Sequence, residues 1–159
     1  MEKSQPNNNF VQSLRKVIRS VEGVAILVSF IGIAFKYINW TMANELLILG
    51  LFSIAITLFL SAFQLMQASN KFILVIHRLG YISSAVAVVA ILFTLLSFEG
   101  SNQMLTVALP SLIGVVVMTG VFAAKQEDAL RLLRPMLMRA VPLLLCCLYL
   151  FMKLPKIEA

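Results

Sequence analysis

Residues 46–66 read LLILGLFSIAITLFLSAFQLM, and this run decides the fold. It carries no charge over a length that, wound as a helix, crosses a hydrocarbon layer about 30 Å thick. Backbone amides find no water in lipid, so such a run spans only as a helix that satisfies its own hydrogen bonds. Runs 24–35, 72–98 and 104–124 are similarly poor in charge. The chain of 159 residues is 60% hydrophobic and 13% charged, about half the charged share of an average soluble domain. What lies outside the runs is too short to fold alone. The expectation is an all-α polytopic protein, with residues 1–159 forming one membrane domain.

Within that domain, the basic segment 1–20 precedes a first hairpin at 21–68, and a second hairpin follows at 71–124. The segment KQEDALRLLR (125–134) reads as a short amphipathic helix, with Leu130 and Leu133 on one side and Arg131 and Arg134 on another. A fifth helix is expected at 136–154, with Arg139 snorkelling to the headgroups. The alternative is four spans plus an interfacial C-terminal helix, because 140–152 is short and contains Pro142. The N-terminal segment lacks a small-x-small cleavage site and leads into Lys36, Tyr37 and Trp40, which suit an interface anchor; the first run is read as an uncleaved span.

The basic residues orient the chain. Lys3, Arg15, Lys16 and Arg19 precede the first span, Lys71 and Arg78 flank the second link, and Lys125, Arg131, Arg134 and Arg139 follow the fourth span. The positive-inside rule places all ten in or near the cytoplasm, together with the N-terminus. The net charge of +6 then reflects topology and contact with anionic headgroups. It is not a nucleic-acid footprint, which would need a basic face on a soluble fold. The adjacent Cys146 and Cys147 point different ways on a helix and read as inert thiols. Lone His77 is too isolated in sequence to complete a metal site, and its place beside Arg78 suggests contact with lipid headgroups. No Ser-His-acid set, carboxylate–histidine pair or phosphate-cradling glycine loop is present, so neither enzyme activity nor a cofactor is expected.

A shift of 58 residues lays one hairpin on the other without a gap: Val17 meets Val75, Phe35 meets Phe93, Asn44 meets Asn102, Leu47 meets Leu105 and Ser53 meets Ser111. Matches within spans are cheap. The outer turns are more telling, because lipid does not dictate their residues: WTMANELL (40–47) falls on FEGSNQML (98–105). A two-span unit starts and ends on one side, so its copy is a parallel repeat. Trp40 and Phe98 suit the outer headgroup layer, and Asn44 and Asn102 fall where an Asx side chain can cap a helix.

Ionisable groups within spans are few. Glu22 follows Arg19 by three residues, a spacing that permits an ion pair. Lys36 and Glu45 flank the first outer turn, where they can form a structural clamp or gate an ion. The span hydroxyls and the face of Ser83, Ser84, Ala85 and Ala87 suit helix packing. Pro110 is expected to kink the fourth span and free a carbonyl for a neighbouring hydroxyl.

The stretch Gly32-Ile-Ala-Phe35-Lys36-Tyr-Ile-Asn39-Trp40, followed by Leu46-Leu-Ile-Leu-Gly50-Leu and Ser61-Ala-Phe63, resembles the two-span membrane region of GldL-type proteins. These are inner-membrane motor subunits of gliding motility and type IX secretion in Bacteroidota. The resemblance covers about residues 21–64, and a fainter echo covers 79–122. It implies a bacterial inner-membrane subunit that packs with copies of itself around a partner helix and conducts protons. Ile54 stands where the family has its proton-carrying glutamate, Asn39 where it has a histidine, and Lys36 is retained. The functional expectation is a non-enzymatic subunit that scaffolds or modulates a larger motor, secretion or energy-transducing complex. Its partners are membrane lipids and other membrane subunits or further copies, and not nucleic acid. The alternative is a small transporter or channel for an apolar or lipid-like solute, with a hydroxyl-lined cavity and Pro110 at its gate. Candidate structural or gating residues are Lys36, Asn39, Trp40, Asn44, Glu45, Asn102 and Pro110.

Overall fold

The computed structural model describes residues 8–63, 71–125 and 127–153. They form α1 (Asn8–Tyr37), α2 (Ala43–Ala62), α3 (Lys71–Leu95), α4 (Ser101–Lys125) and α5 (Glu127–Lys153), with no strand among the described residues. Each helix contains a stretch long and apolar enough to cross a membrane: Ser20–Tyr37, Ala43–Ala62, Lys71–Leu95, Ser101–Phe122 and Leu133–Lys153. The protein is an all-α, multi-pass membrane protein, and the fifth segment has the length and apolarity of the other four. The side chains of Arg15, Lys16, Arg19, Lys125 and Arg131 lie outside the described residues, so the expected Arg19–Glu22 pair does too.

The chain divides into two compact units, Met1–Thr57 and Leu58–Ala159. In the first, small residues bring α1 against α2. A Cβ added at Gly50 would lie 2.5 Å from Ser29 Oγ and 2.8 Å from the Ser29 amide nitrogen, and one at Gly32 would lie 3.0 Å from the Leu47 amide nitrogen. In lipid no hydrophobic force draws helices together, so close backbone approach through small residues is how they gain dispersion contact. Ala25, Ser29, Leu47 and Leu51 are buried.

In the second unit α3, α4 and α5 each pack against the other two. Ala87, Ala90 and Ile91 of α3 meet Leu105, Ala108, Leu109 and Leu112 of α4 and Ala140 and Cys147 of α5. Small residues on α3 thus receive the leucines of α4. Of the expected small-residue face, Ser84, Ala85 and Ala87 are buried and Ser83 is half-buried. Cys147 is buried and Cys146 exposed, as adjacent helical positions require.

One boundary differs from the sequence reading. Segments 125–134 and 136–154 are not two elements: a single helix runs from Glu127 through Pro135 and Pro142 to Lys153. An interior proline removes a helical hydrogen bond and costs about 3 kcal/mol. The offset is packing on both sides of Pro135, where Leu133 and Met136 are buried almost completely.

Hydroxyls within the helices turn back on their own backbone. Ser29, Ser53, Ser84, Thr94, Thr106, Ser111 and Thr119 each donate to the carbonyl four residues earlier at 2.7–2.8 Å. Thr57 donates to Ile54 O.

Candidate functional site

Most of the candidates named from the sequence gather at the α1–α2 turn of the first hairpin. There α1 ends in a Schellman motif, which satisfies otherwise unpaired carbonyls of the last helical turn. Trp40 N donates to Phe35 O at 3.0 Å and Asn39 N to Lys36 O at 3.1 Å. Asn39 holds φ at 58°, the left-handed region this geometry demands, and asparagine tolerates it better than most residues. The apolar contact typical of the motif is present: the Trp40 ring stacks on Phe35 with centroids 4.7 Å apart. Trp40 O then accepts from Ala43 N, which starts α2.

The α3–α4 turn repeats this bond for bond at the same 58-residue shift. Phe98 N donates to Phe93 O, Ser97 N to Thr94 O and Ser101 N to Phe98 O. Ser97 has φ 55° where Asn39 has 58°, and Phe98 meets Phe93 edge-on at 5.4 Å. Leu47 and Leu105, one turn into the following helices, are both fully buried. The repeat read from the sequence is therefore also a repeat of the turns' hydrogen bonds and of the left-handed residue after each first helix, while Gly100, at φ 86°, has no positive-φ counterpart at Met42.

The other candidates at these turns take roles slightly apart from those expected. A hydrogen bond across the first turn joins Lys36 Nζ to Asn44 Oδ1 at 3.3 Å, one residue before Glu45. Glu45 lies in the first turn of α2. Asn44 and Asn102 are the second residues of α2 and α4 and so sit inside the first helical turn, past the cap position. The Asn102 backbone carbonyl accepts from Thr106. Pro110 lies within α4, which continues through it. It is exposed, and the nearest following hydroxyl, Ser111, is committed to Val107 O.

A second cluster, at the α3–α5 contact, was not singled out as a site from the sequence. Gly80 lies so close to Met136 that any Cβ would overlap its sulfur. One position further on, Tyr81 is buried; its ring lies 4.7 Å from the His77 ring and 5.9 Å from the Arg139 guanidinium carbon. His77 is only 5% exposed, and its Nδ1 has no hydrogen-bond partner. This corrects the expectation that His77 meets lipid headgroups: the close approach at Gly80 turns it into the helix contact. Arg139, half-buried, engages the tyrosine face, an attraction of about 0.5–2 kcal/mol. The available signal was the spacing of His77, Gly80, Tyr81 and Ser84, which places them along one side of a helix.

Comparison with family models, curated proteins and solved structures finds no match.

Proposed function

We propose that the chain is a non-enzymatic subunit of a larger bacterial inner-membrane complex, with its N-terminus in the cytoplasm. It is built from two hairpins resembling the GldL-type membrane region plus a C-terminal helix, and it scaffolds or modulates rather than drives. The observation that carries this reading is a groove of about 270 Å³ along the first hairpin, lined by Ser20, Val21, Val24, Ala25, Val28, Leu49, Gly50 and Ser53. Its small residues admit the side-chain ridge of another apolar helix, which is how membrane helices associate. A helix of a partner subunit or of a second copy is the occupant this reading assigns.

Two features support a scaffolding role over a proton-conducting one. Asn39 cannot titrate and is engaged in ending α1. Ile54 has no proton to offer where the resembled family carries glutamate. Transport of a solute draws less support, since the helix hydroxyls are spent on their own backbones and Pro110 lies on an exposed face.

The test is gentle affinity purification from native membranes with mass spectrometry and size analysis, run on the natural chain and on Val24→Trp. Val24 is 62% exposed, so the larger ring fills the groove without disturbing the hairpin core. A stoichiometric membrane partner or homo-oligomer that is lost in Val24→Trp supports the reading. A lone monomer carrying lipid overturns it and favours lipid handling or transport.

A further inference from the structure

α1 is longer than its span. The helix runs 30 residues from Asn8 to Tyr37, whereas its stretch apolar enough to cross a membrane begins at Ser20. Residues 8–19, about 18 Å of helix, therefore extend beyond that stretch. Within lipid an apolar position says little about contact, because lipid tails are as apolar as leucine. Outside lipid the pattern is informative. In the extension the apolar residues are Phe10, Val11, Leu14, Val17 and Ile18, and all others are Asn, Gln, Ser, Arg or Lys.

Phe10, Leu14 and Val17 begin a spacing of four and three that continues through Val21, Val24, Val28 and Ile31. These are the a and d positions of three successive heptads, with Leu14, Val21 and Val28 at a. Positions 11 and 18 fall at e, in line with Ala25 and Gly32 on the side buried within the hairpin. All five charged residues of α1 (Arg15, Lys16, Arg19, Glu22 and Lys36) fall at b, c or f, away from the seam. Along the seam Val17, Val21, Val24 and Ile31 are exposed. Val21, Val24 and Val28 also line the groove that α1 forms with Gly50 and Ser53 of α2.

An apolar seam that runs on out of the lipid needs protein to cover it there. Its cover must share the seam's period, direction and depth. A second α1 has all three, because every copy inserts the same way and the two helices then run parallel and in register. Coiled-coil helices select unlike partners through charges at e and g. From position 11 to Ile31, α1 carries no charge at e or g, so nothing on it directs the seam to a different chain, and its basic residues stay apart from those of a copy.

We propose that copies of this chain associate through a parallel α1–α1 coiled coil that begins beyond the membrane and continues into the groove of the first hairpin. The proposal rests on the subunit reading and names α1 of a second copy as the groove's occupant. It differs from the arrangement implied by the GldL-type resemblance, where copies surround a partner helix: here α1 meets α1. The seven-residue period makes the supercoil left-handed.

The experiment introduces Val17→Cys, Val24→Cys, Ile26→Cys or Phe30→Cys into the full chain and oxidises isolated membranes with copper–phenanthroline. Disulfide-linked dimers are read on non-reducing gels, and the unaltered chain sets the background from Cys146 and Cys147. Val24 and Phe30 are similarly open, at 62% and 68% exposed, so exposure alone does not separate them. Phe30 at c and Ile26 at f lie on the other side of α1. Val17→Cys and Val24→Cys should cross-link well above background, and Ile26→Cys and Phe30→Cys should stay at it. Val17→Lys leaves the span intact and sets like charges across the seam. On dilution in mild detergent, followed by size exclusion, it should weaken association by about tenfold or more. Equal cross-linking at all four positions, or unchanged association in Val17→Lys, overturns the proposal. So does retention of a different protein that cross-links at position 24 while the copies do not, an outcome that leaves the subunit reading standing. A lone monomer overturns both. If far-ultraviolet circular dichroism shows Val17→Lys unfolded, the four cysteine variants decide alone.

Discussion

Gly50→Ala and Gly23→Ala should shift stability in opposite directions, though both replace a helical glycine of the same hairpin. An alanine at Gly23 meets nothing within 4 Å, so only the intrinsic helix preference acts, and it favours alanine by about 1 kcal/mol. At Gly50 the same methyl would sit 2.5 Å from Ser29 Oγ, 2.8 Å from Ser29 N and 3.0 Å from Ser29 Cα. Two of these atoms belong to backbone and cannot rotate away. Carbon contacts are optimal near 3.5–4.0 Å, so α1 and α2 must part by roughly 0.5–1 Å, which forfeits a quarter to a half of the attraction at the contact. Overpacking of this kind costs about 1–3 kcal/mol. Set against the helix-preference gain, the net is a loss of about 1 kcal/mol and at most about 2. Thermal unfolding in mild detergent, followed by size exclusion, reads the difference. Adding Ser29→Ala removes the hydroxyl but leaves the backbone contacts, so rescue should be partial. If Gly50→Ala stabilises as much as Gly23→Ala, the close approach of the two helices is wrong.

Two other predictions concern the turns and the topology. Ser97→Gly should raise stability by about 1 kcal/mol, because φ at 55° carries a penalty for any residue with a Cβ; the same thermal assay shows the left-handed assignment to be mistaken if stability falls. Reporter fusions after Lys125 and at Ala159 should report opposite sides of the membrane, cytoplasmic and then outer, and two cytoplasmic signals would remove the fifth crossing.

The sequence made the spans legible because lipid imposes a length and an apolarity that no other environment demands of run 46–66. The α1–α2 and α3–α4 turns were legible for the opposite reason. Trp40 and Phe98, and Asn44 and Asn102, sit where lipid dictates little, so their correspondence at one shift carried information that Phe35 on Phe93 did not. Contact faces were harder to read. In a soluble helix apolar residues mark the buried side; α2 and α4 are apolar on every side, so pattern does not separate core from lipid face. On α3 the burial of His77 accompanies the close approach of Gly80 to Met136, residues remote in sequence. The unbroken course of α5 was missed because proline reads locally as a stop, whereas the burial of Leu133 and Met136 is a tertiary fact. At the first turn charge points from Lys36 to Glu45, and the bond from Lys36 to the neutral Asn44 is one that charge alone does not announce.

The paired Schellman turns bear on how the chain is made. Every backbone hydrogen bond that closes them joins residues no more than five apart, from Trp40 N back to Phe35 O and from Phe98 N back to Phe93 O. Such short loops close on a submicrosecond scale, whereas synthesis adds about 5–20 residues per second. Each reversal can therefore form as it leaves the ribosome, without waiting for the helix that follows. The chain can enter the bilayer as two successive pre-bent pairs, α1 with α2 and α3 with α4, ahead of α5.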